Sequence, residues 1–517
     1  MGRLVNDDGI TLDELVARIQ PLRVRGDTSL PIDSVCYDSR QAVPRSLFVA
    51  LRGGYADGHH FLEAARRAGA VAALVESWPP ELDDYPAAVQ VEDTRAALAQ
   101  VAAACYRDPG ASMGMVGVTG TDGKTTTTYL IDAMLRDAGQ RTGLIGTVAV
   151  RIGERLTEHD LRQTTPESLD VQRFLSQMRA AGVDWAVLEA TSHGLELHRL
   201  DSCPFDVGVV TNITHEHLEL HGTVENYRRA KARLLEHVRA GISRPYPHGI
   251  VLNADDEGAR SIAGYAGDVP ITWFSTRDAF AAVHASEIEI EATGTRFVLS
   301  LPDGSRKPVN LRLIGGFNVE NALAAAAVGS IMGLPAERIV ASLEAFRSVP
   351  GRLVPVEQGQ PYRVYVDYAH TPDSLEKILR LIRSLVPGRV IVVSGSAGER
   401  DRTKRPLQGA VCVRLADFAV FTSEDPRFEN PDQIIAEIAA GAAERGAAEG
   451  RDYLCVEDRR AAIGAALDAA QPGDAVVLAG KGHESCIIYG AERRPWDEVA
   501  EASRALAERG FPARHED

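Results

Sequence analysis

Met113-Gly114-Met115-Val116-Gly117-Val118, then Thr119-Gly120-Thr121-Asp122-Gly123-Lys124-Thr125-Thr126, then Tyr129 to Ala138: this stretch carries a strand, a turn and a helix in that order. The opening run is short and apolar, and the closing one puts Leu130, Ile131, Met134, Leu135 and Ala138 on one helical face. The turn between them has the chemistry of a phosphate cradle. Glycines let backbone N–H groups approach an anion, a helix N-terminus favours negative charge, Lys124 reaches terminal phosphates and the Thr125 hydroxyl can ligate Mg²⁺. Gly120, Thr121, Asp122, Gly123, Lys124, Thr125 and Thr126 are therefore candidate phosphate-binding residues. The spacing departs from the strict phosphate-loop pattern, because Val118 stands at the position of its first glycine.

Outward from this unit, apolar runs alternate with amphipathic stretches, the mark of parallel βα units. Asp184 to Leu188 runs into Glu189-Ala190-Thr191-Ser192-His193, and Val207 to Val210 into Thr211-Asn212-Ile213-Thr214-His215-Glu216-His217. Ligands of open α/β sheets sit beyond the carboxyl ends of the strands, so both clusters are expected to face the phosphates, with a carboxylate and an imidazole available for Mg²⁺. Zinc fits less well, since His215, His217 and His221 do not share a helical face and no cysteine joins them. Four later strands follow the same logic. They end at Asp367-Tyr368-Ala369-His370, at Ser394 to Asp401, at Thr422 to Arg427 and at Ala479 to Glu484, which describes a Rossmann-like region with a ligand-binding face.

Turn chemistry at Arg107 to Ser112 and at Ser348 to Arg352 sets boundaries, giving segments 1–108, 109–348 and 349–517. The first mixes strand-like runs (Ser46 to Leu51, Val71 to Val75, Ala88 to Val91) with a helix at Thr94 to Cys105. Three domains suit a chain of 517 residues. A formal net charge of −16 argues against nucleic acid and anionic membrane as partners, leaving small molecules or proteins. The N-terminus has no secretory pattern and no run is long and apolar enough to span a bilayer, so a cytoplasmic location is expected. The six cysteines lie far apart and read as buried small apolar residues. Lys231, on a stretch rich in arginine, reads from composition alone as one charge on a solvated helix.

Together these motifs resemble the Mur ligases, most closely the branch that adds the third residue of the peptidoglycan stem peptide. The residues that single out this branch are Tyr37-Asp38-Ser39-Arg40, Leu47-Phe48-Val49-Ala50, Thr164-Thr165-Pro166, Thr191-Ser192-His193 with Arg199, and Gly480-Lys481-Gly482-His483-Glu484. The resemblance implies an α/β protein of three domains: an N-terminal UDP-binding domain, a central phosphate-loop ATPase domain with a mostly parallel sheet, and a C-terminal Rossmann-like domain. It implies ATP-dependent amide ligation through an acyl phosphate, with Mg²⁺, on UDP-MurNAc-L-Ala-D-Glu and a diamino acid, by a monomer. Catalysis and metal binding then fall to Lys124, Thr125, Glu189, His217 and Lys231, the last as the N6-carboxylated (carbamylated) lysine. Asn318, Asn321, Arg352, Asp367 and His370 join the phosphate loop around ATP, and Pro350-Gly351-Arg352 is a hinge. Tyr37, Ser39, Thr164, Thr165, Thr191 and Arg199 take the UDP-sugar dipeptide, with Gly54-Tyr55-Ala56 beside the uridine. Arg400, Asp425, Arg427, Gly480 and Glu484 take the amino acid.

That amino acid is left open between meso-diaminopimelate and L-lysine or L-ornithine. Relatives that add diaminopimelate carry Asp-Asn-Pro-Arg where this chain has Glu424-Asp425-Pro426-Arg427. Arg427 suits a distal carboxylate, whereas Asp425 repels one unless Arg427 neutralises it. A folylpolyglutamate-synthetase-like ligase is the runner-up, disfavoured by the N-terminal segment; a non-catalytic scaffold would not need Lys124, Glu189, His217 and Lys231 together.

Overall fold

The computed structural model describes residues 9–53, 56–157, 163–214 and 221–512. The chain forms two compact units, one of 1–286, 299–307 and 320–343, the other of 287–298, 308–319 and 344–517.

Two large sheets lie mainly in the first unit, beside a small antiparallel pair, Ile10–Thr11 with Pro31–Ile32. Near the N-terminus the order is Arg23–Gly26, Ala87–Gln90, Ala70–Val75, Ser46–Val49 and Ser34–Cys36, parallel except at the first edge strand. Alternate residues supply two apolar faces. Leu47, Val49, Leu74 and Val89 pack with Leu98 and Val101 of the helix Thr94–Cys105, while Phe48, Ala73 and Ala88 pack with Leu62. That helix starts where the Asp93 side chain accepts from Arg95 and Ala96 N–H groups.

In the larger sheet the parallel strands run Thr142–Ile145, Trp185–Glu189, Gly114–Thr119, Val207–Val210, Gly249–Asn253 and Ile271–Ser275. Gly114–Thr119 is flanked on both sides by strands that come later in the chain, so the order reverses around it. Its carboxyl end is a topological switch point, where a crevice opens between loops running in opposite directions. The helix after it spans Lys124–Asp137 and so starts earlier than the apolar periodicity from Tyr129 suggests. Its first turn is built of Lys124 and threonines, whose backbone serves the loop and whose side chains add no apolar stripe.

In the second unit the strands run Val354–Pro355, Arg363–Asp367, Ala475–Ala479, Val390–Ser394, Phe418–Phe421 and Tyr453–Cys455, all parallel but the first. Apolar clusters cover both faces, which explains why its strands read as unbroken Val/Ile runs. The four strands whose ends carry polar loops are neighbours, so their loops lie side by side at one edge. All six cysteines are free; Cys36, Cys105, Cys203 and Cys412 are buried, but Cys455, in the edge strand Tyr453–Cys455, and Cys486, in a separate two-stranded sheet of Cys486–Tyr489 and Glu492–Pro495, are only half-buried.

Candidate active site

The phosphate-type loop is made rigid by its neighbours. Gly120 has φ +154°, and a Cβ there would lie 1.9 Å from Thr211 Oγ1. Gly123 has φ +82°, and a Cβ would lie 2.3 Å from Asn321 Oδ1. A side chain at either position is therefore strained and crowded, which favours glycine. Asn212 accepts from Thr121 N–H through its carbonyl (2.8 Å) and from Asp122 N–H through its side chain (2.9 Å). Thr211 Oγ1 donates to the Asp122 carbonyl at 2.6 Å.

Lys124 folds back so that Nζ donates to the carbonyls of Gly120 (2.9 Å) and Thr121 (2.8 Å). Lys231, on the helix Val224–Ala240, reaches the same Gly120 carbonyl at 2.7 Å and lies 4.5 Å from the centroid of the Tyr227 ring. It is 1% exposed, so the solvated-helix reading of its composition is wrong: its helix turns this residue inward against the loop. Thr126 is buried in the first turn of the loop helix. Asn321 accepts from Thr127 Oγ1 at 3.2 Å, and Asn318, on the same helix Gly316–Ile331, donates to the Ile314 carbonyl at 2.9 Å.

Glu189 closes the strand next to the loop and is buried. Its carboxylate accepts from Thr125 Oγ1 (3.0 Å), Thr147 Oγ1 (3.0 Å) and Thr147 N–H (2.8 Å). Among the described residues no Lys or Arg pairs with it. A buried carboxylate beside two hydroxyls and lacking a cation is a hard-oxygen set of the kind Mg²⁺ selects. Thr147 follows the strand Thr142–Ile145 and was not singled out from sequence, although it too lies beyond a strand's carboxyl end. His217 lies outside the described residues, as do Gly54 and Tyr55.

Three threonines form the next layer. Thr164 Oγ1 meets Thr147 Oγ1 at 3.0 Å, and Thr165 Oγ1 donates to the Glu189 carbonyl (2.8 Å) and meets Thr191 Oγ1 at 2.9 Å. Arg199, buried, donates to the Thr165 carbonyl (3.0 Å) and to Glu167 (2.8 Å), a carboxylate that also pairs with Arg95 at 3.1 Å. Tyr37 joins this region through its hydroxyl, which donates to Asp170 at 2.9 Å; burial first, and that carboxylate second, push its pKa up. Ser39 opens a short 3₁₀ turn that Asp38 caps.

In the second unit, Arg352, Asp367 and His370 come together. Asp367 accepts from Leu353 and Ala369 N–H groups, each at 2.8 Å; burial raises its pKa while Arg352 opposes that shift. His370 Nδ1 meets the Tyr368 carbonyl at 2.9 Å, and burial, seconded by Lys404, lowers its pKa to about 4. Gly351 is packed so closely that a Cβ would lie 2.4 Å from His483 N, so the expected hinge residues are docked onto this unit.

The amino-acid cluster differs from the sequence reading at its central point. Lys481, fully buried, is the group that neutralises Asp425 (2.9 Å), and it also pairs with Glu484 at 2.5 Å. Arg427 makes no ion pair among the described residues. Burial pushes the carboxyl groups of Glu424 and Glu484 upward, with Lys404 and Lys481 respectively the largest opposing influences. Gly480 leaves room for Glu424, whose Oε2 would be 3.0 Å from a Cβ there, and Arg400 is exposed at the end of its loop.

Three family models match the chain: Mur ligase family, catalytic domain, at residues 31–106; Mur ligase middle domain at 118–329; and Mur ligase, glutamate ligase domain, at 351–482. A UDP-N-acetylmuramyl-tripeptide synthetase from a Roseiflexus species is 48% identical, over 93% of this chain and 95% of its own length. The chain belongs to the Mur ligase family. Members of this family are ATP-dependent ligases that form peptide bonds, and this Mur ligase is similar to a UDP-N-acetylmuramoyl-L-alanyl-D-glutamate–2,6-diaminopimelate ligase from Geobacillus kaustophilus (42% identity, 92% of this chain and 94% of the relative). The solved structure of a ligase with that same description superposes with a TM-score of 0.67 at 29% identity, covering 97% of this Mur ligase and 99% of its own chain. Among the described residues no helix of the Mur ligase is long and apolar enough to cross a membrane.

Proposed function

We propose that the protein joins meso-diaminopimelate to the D-Glu γ-carboxyl of UDP-MurNAc-L-Ala-D-Glu, with ATP and Mg²⁺, in peptidoglycan synthesis. The observation that carries the phosphoryl-transfer half is the meeting of Lys124, Lys231, Thr125 and Glu189 at one loop. The γ-phosphoryl of ATP passes to the carboxylate, the amino group attacks the resulting acyl phosphate, and the tetrahedral intermediate expels phosphate. Little covalent work falls to the protein, which positions groups and offsets charge. Lys124 holds the β- and γ-phosphates; Thr125 and Glu189, with His217 and carbamylated Lys231, hold Mg²⁺. The metal supplies charge neutralisation at the transferring phosphoryl group. Asn318, Asn321, Arg352, Asp367 and His370 complete the ATP site. Tyr37, Ser39, Thr164, Thr165, Thr191 and Arg199 take the UDP-sugar dipeptide. We assign these roles to domains 1–108, 109–348 and 349–517 of a cytoplasmic monomer.

For the third amino acid, the pairing of Asp425 with Lys481 supports diaminopimelate. Because a buried lysine offsets Asp425, the guanidinium of Arg427 remains available, with Arg400, for a distal carboxylate, while Glu484 and Gly480 line the pocket. The names of the relatives point the same way. The test is phosphate release with UDP-MurNAc-L-Ala-D-Glu, ATP and a panel of amino acids. Release is expected to require all three substrates and to favour meso-diaminopimelate; strong preference for lysine or ornithine overturns the amino-acid assignment. Turnover without the UDP-sugar overturns the ligase reading. Lys231→Ala is expected to be inactive and to regain activity with short carboxylic acids.

A further inference from the structure

Arg405 is a fully buried arginine that the reaction does not use, and it lies beneath the two loops assigned to the amino acid. It sits in the helix Lys404–Leu415. Its guanidinium grips Glu429 with both arms, Nη1 to Oε2 at 2.9 Å and Nη2 to Oε1 at 3.0 Å. Nη2 also donates to the Ala397 carbonyl at 3.2 Å, in the loop that carries Arg400. Glu429, two residues after Arg427, accepts in turn from the Glu399 N–H, next to Arg400.

Two further contacts join the same segments. Gly398 N–H donates to the Asp425 carbonyl at 2.8 Å, and a Cβ on Gly398 would lie only 2.0 Å from the Pro426 carbonyl oxygen. Arg427 is itself in the left-handed region, φ +54°, tied by its N–H to the Ile488 carbonyl at 2.9 Å. The Arg400 and Arg427 loops are thus one stapled assembly, and the bidentate pair is its charged staple.

We propose that Arg405 and Glu429 are a positioning pair that sets the spacing of Arg400 and Arg427, and with it the selectivity of the pocket for an amino acid bearing a second carboxylate. The proposal rests on the functional reading above. A planar fork held bidentately fixes angle as well as distance, which a lysine or a single hydrogen bond does not. Arg405 has another partner, Glu437 of the helix Pro431–Ala443, at 2.7 Å. Glu437 also pairs with Arg402, just after Arg400, but among the described residues it makes no hydrogen bond or ion pair to the segment Glu424–Glu429, so its removal leaves the link between the two loops in place and provides a control from the same cation.

The test compares Glu429→Gln, Arg405→Lys and Glu437→Gln in the full-length enzyme, with KM measured separately for meso-diaminopimelate, ATP and UDP-MurNAc-L-Ala-D-Glu. For Glu429→Gln we expect KM for meso-diaminopimelate to rise about tenfold. Its preference for meso-diaminopimelate over lysine should fall by a similar factor. Saturated kcat and the other two KM values should stay within about twofold. Arg405→Lys should move the same quantity in the same direction, which keeps the test usable if either variant is poorly folded. Glu437→Gln should lower the melting temperature without changing the KM for the amino acid. Equal KM effects from Glu429→Gln and Glu437→Gln, or a rise in all three KM values together, overturn the positioning role. Failure of the wild-type enzyme to require any third amino acid overturns the functional reading instead, and the two failures are told apart in the wild-type control.

Discussion

Replacing His370 by Asn tests the electrostatics of the C-terminal site. The imidazole is packed against Tyr368 (ring centroids 4.7 Å apart) with Lys404 and Arg352 nearby, and its pKa falls from an ordinary 6.5 to about 4. The unfolded chain therefore binds more protons than the fold between these values. The contribution of His370 to stability is fully present above pH 6.5 and is lost as pH falls toward 4. At 1.36 kcal/mol per decade of proton affinity, the loss between about pH 7.5 and about pH 5 amounts to at most about 2 kcal/mol, less whatever water reaching the ring edge relieves. Asn keeps a donor for the Tyr368 carbonyl but does not titrate. Hydrogen exchange of the core strand Val390–Ser394, corrected for intrinsic rates, reads the opening free energy of this unit in both proteins. The stability advantage of wild type over His370→Asn should shrink on acidification, by up to about 30-fold in the opening constant. A difference that is flat with pH refutes the neutral, half-buried imidazole, and one that grows shows that His370 is charged in the fold.

Gly123→Ala places a methyl 2.3 Å from Asn321 Oδ1 at φ +82° and should cost about 1–2 kcal/mol by thermal melting while raising KM for ATP more than it lowers kcat. Glu498→Ala leaves Arg459, which is 1% exposed, without its 2.6 Å partner. Urea unfolding should show a loss of about 3–5 kcal/mol, and a loss below about 1 kcal/mol means that water reaches the site. Asp425→Asn leaves Lys481 with Glu484 alone and makes the pocket more positive. Competition assays should then show meso-diaminopimelate gaining on lysine by roughly threefold, and a shift toward lysine contradicts the role given to Lys481.

Much of the fold was legible because it depends on local pattern. The strands Val207–Val210 and Phe418–Phe421 and the helix Thr94–Cys105 lie where the apolar runs place them, since a strand buried on both faces needs an unbroken apolar run and a helix needs a cap. Other boundaries moved by a residue or two, as at Ser46–Val49, or, at Lys124, by more than a turn, where threonines and a lysine carry no apolar stripe. The phosphate loop was legible for a related reason: its glycines are required by backbone geometry within the loop and its immediate neighbours.

The partners of the charged groups were not legible in this way. Nothing local shows that Lys231, amid arginines, is buried against Gly120, or that Lys481 rather than Arg427 offsets Asp425. Thr147, Glu167 and Arg405 likewise acquire their roles only by proximity to Glu189, Arg199 and Glu429. By itself, then, the sequence determined the α/β class, the phosphate loop and the strand ends at which ligands gather, because periodicity, turn chemistry and glycine requirements act between near neighbours. Tertiary structure alone decided which charges cancel and which remain free. Ion pairs depend on distances of a few ångströms between residues far apart in the chain, and burial is what makes those distances count.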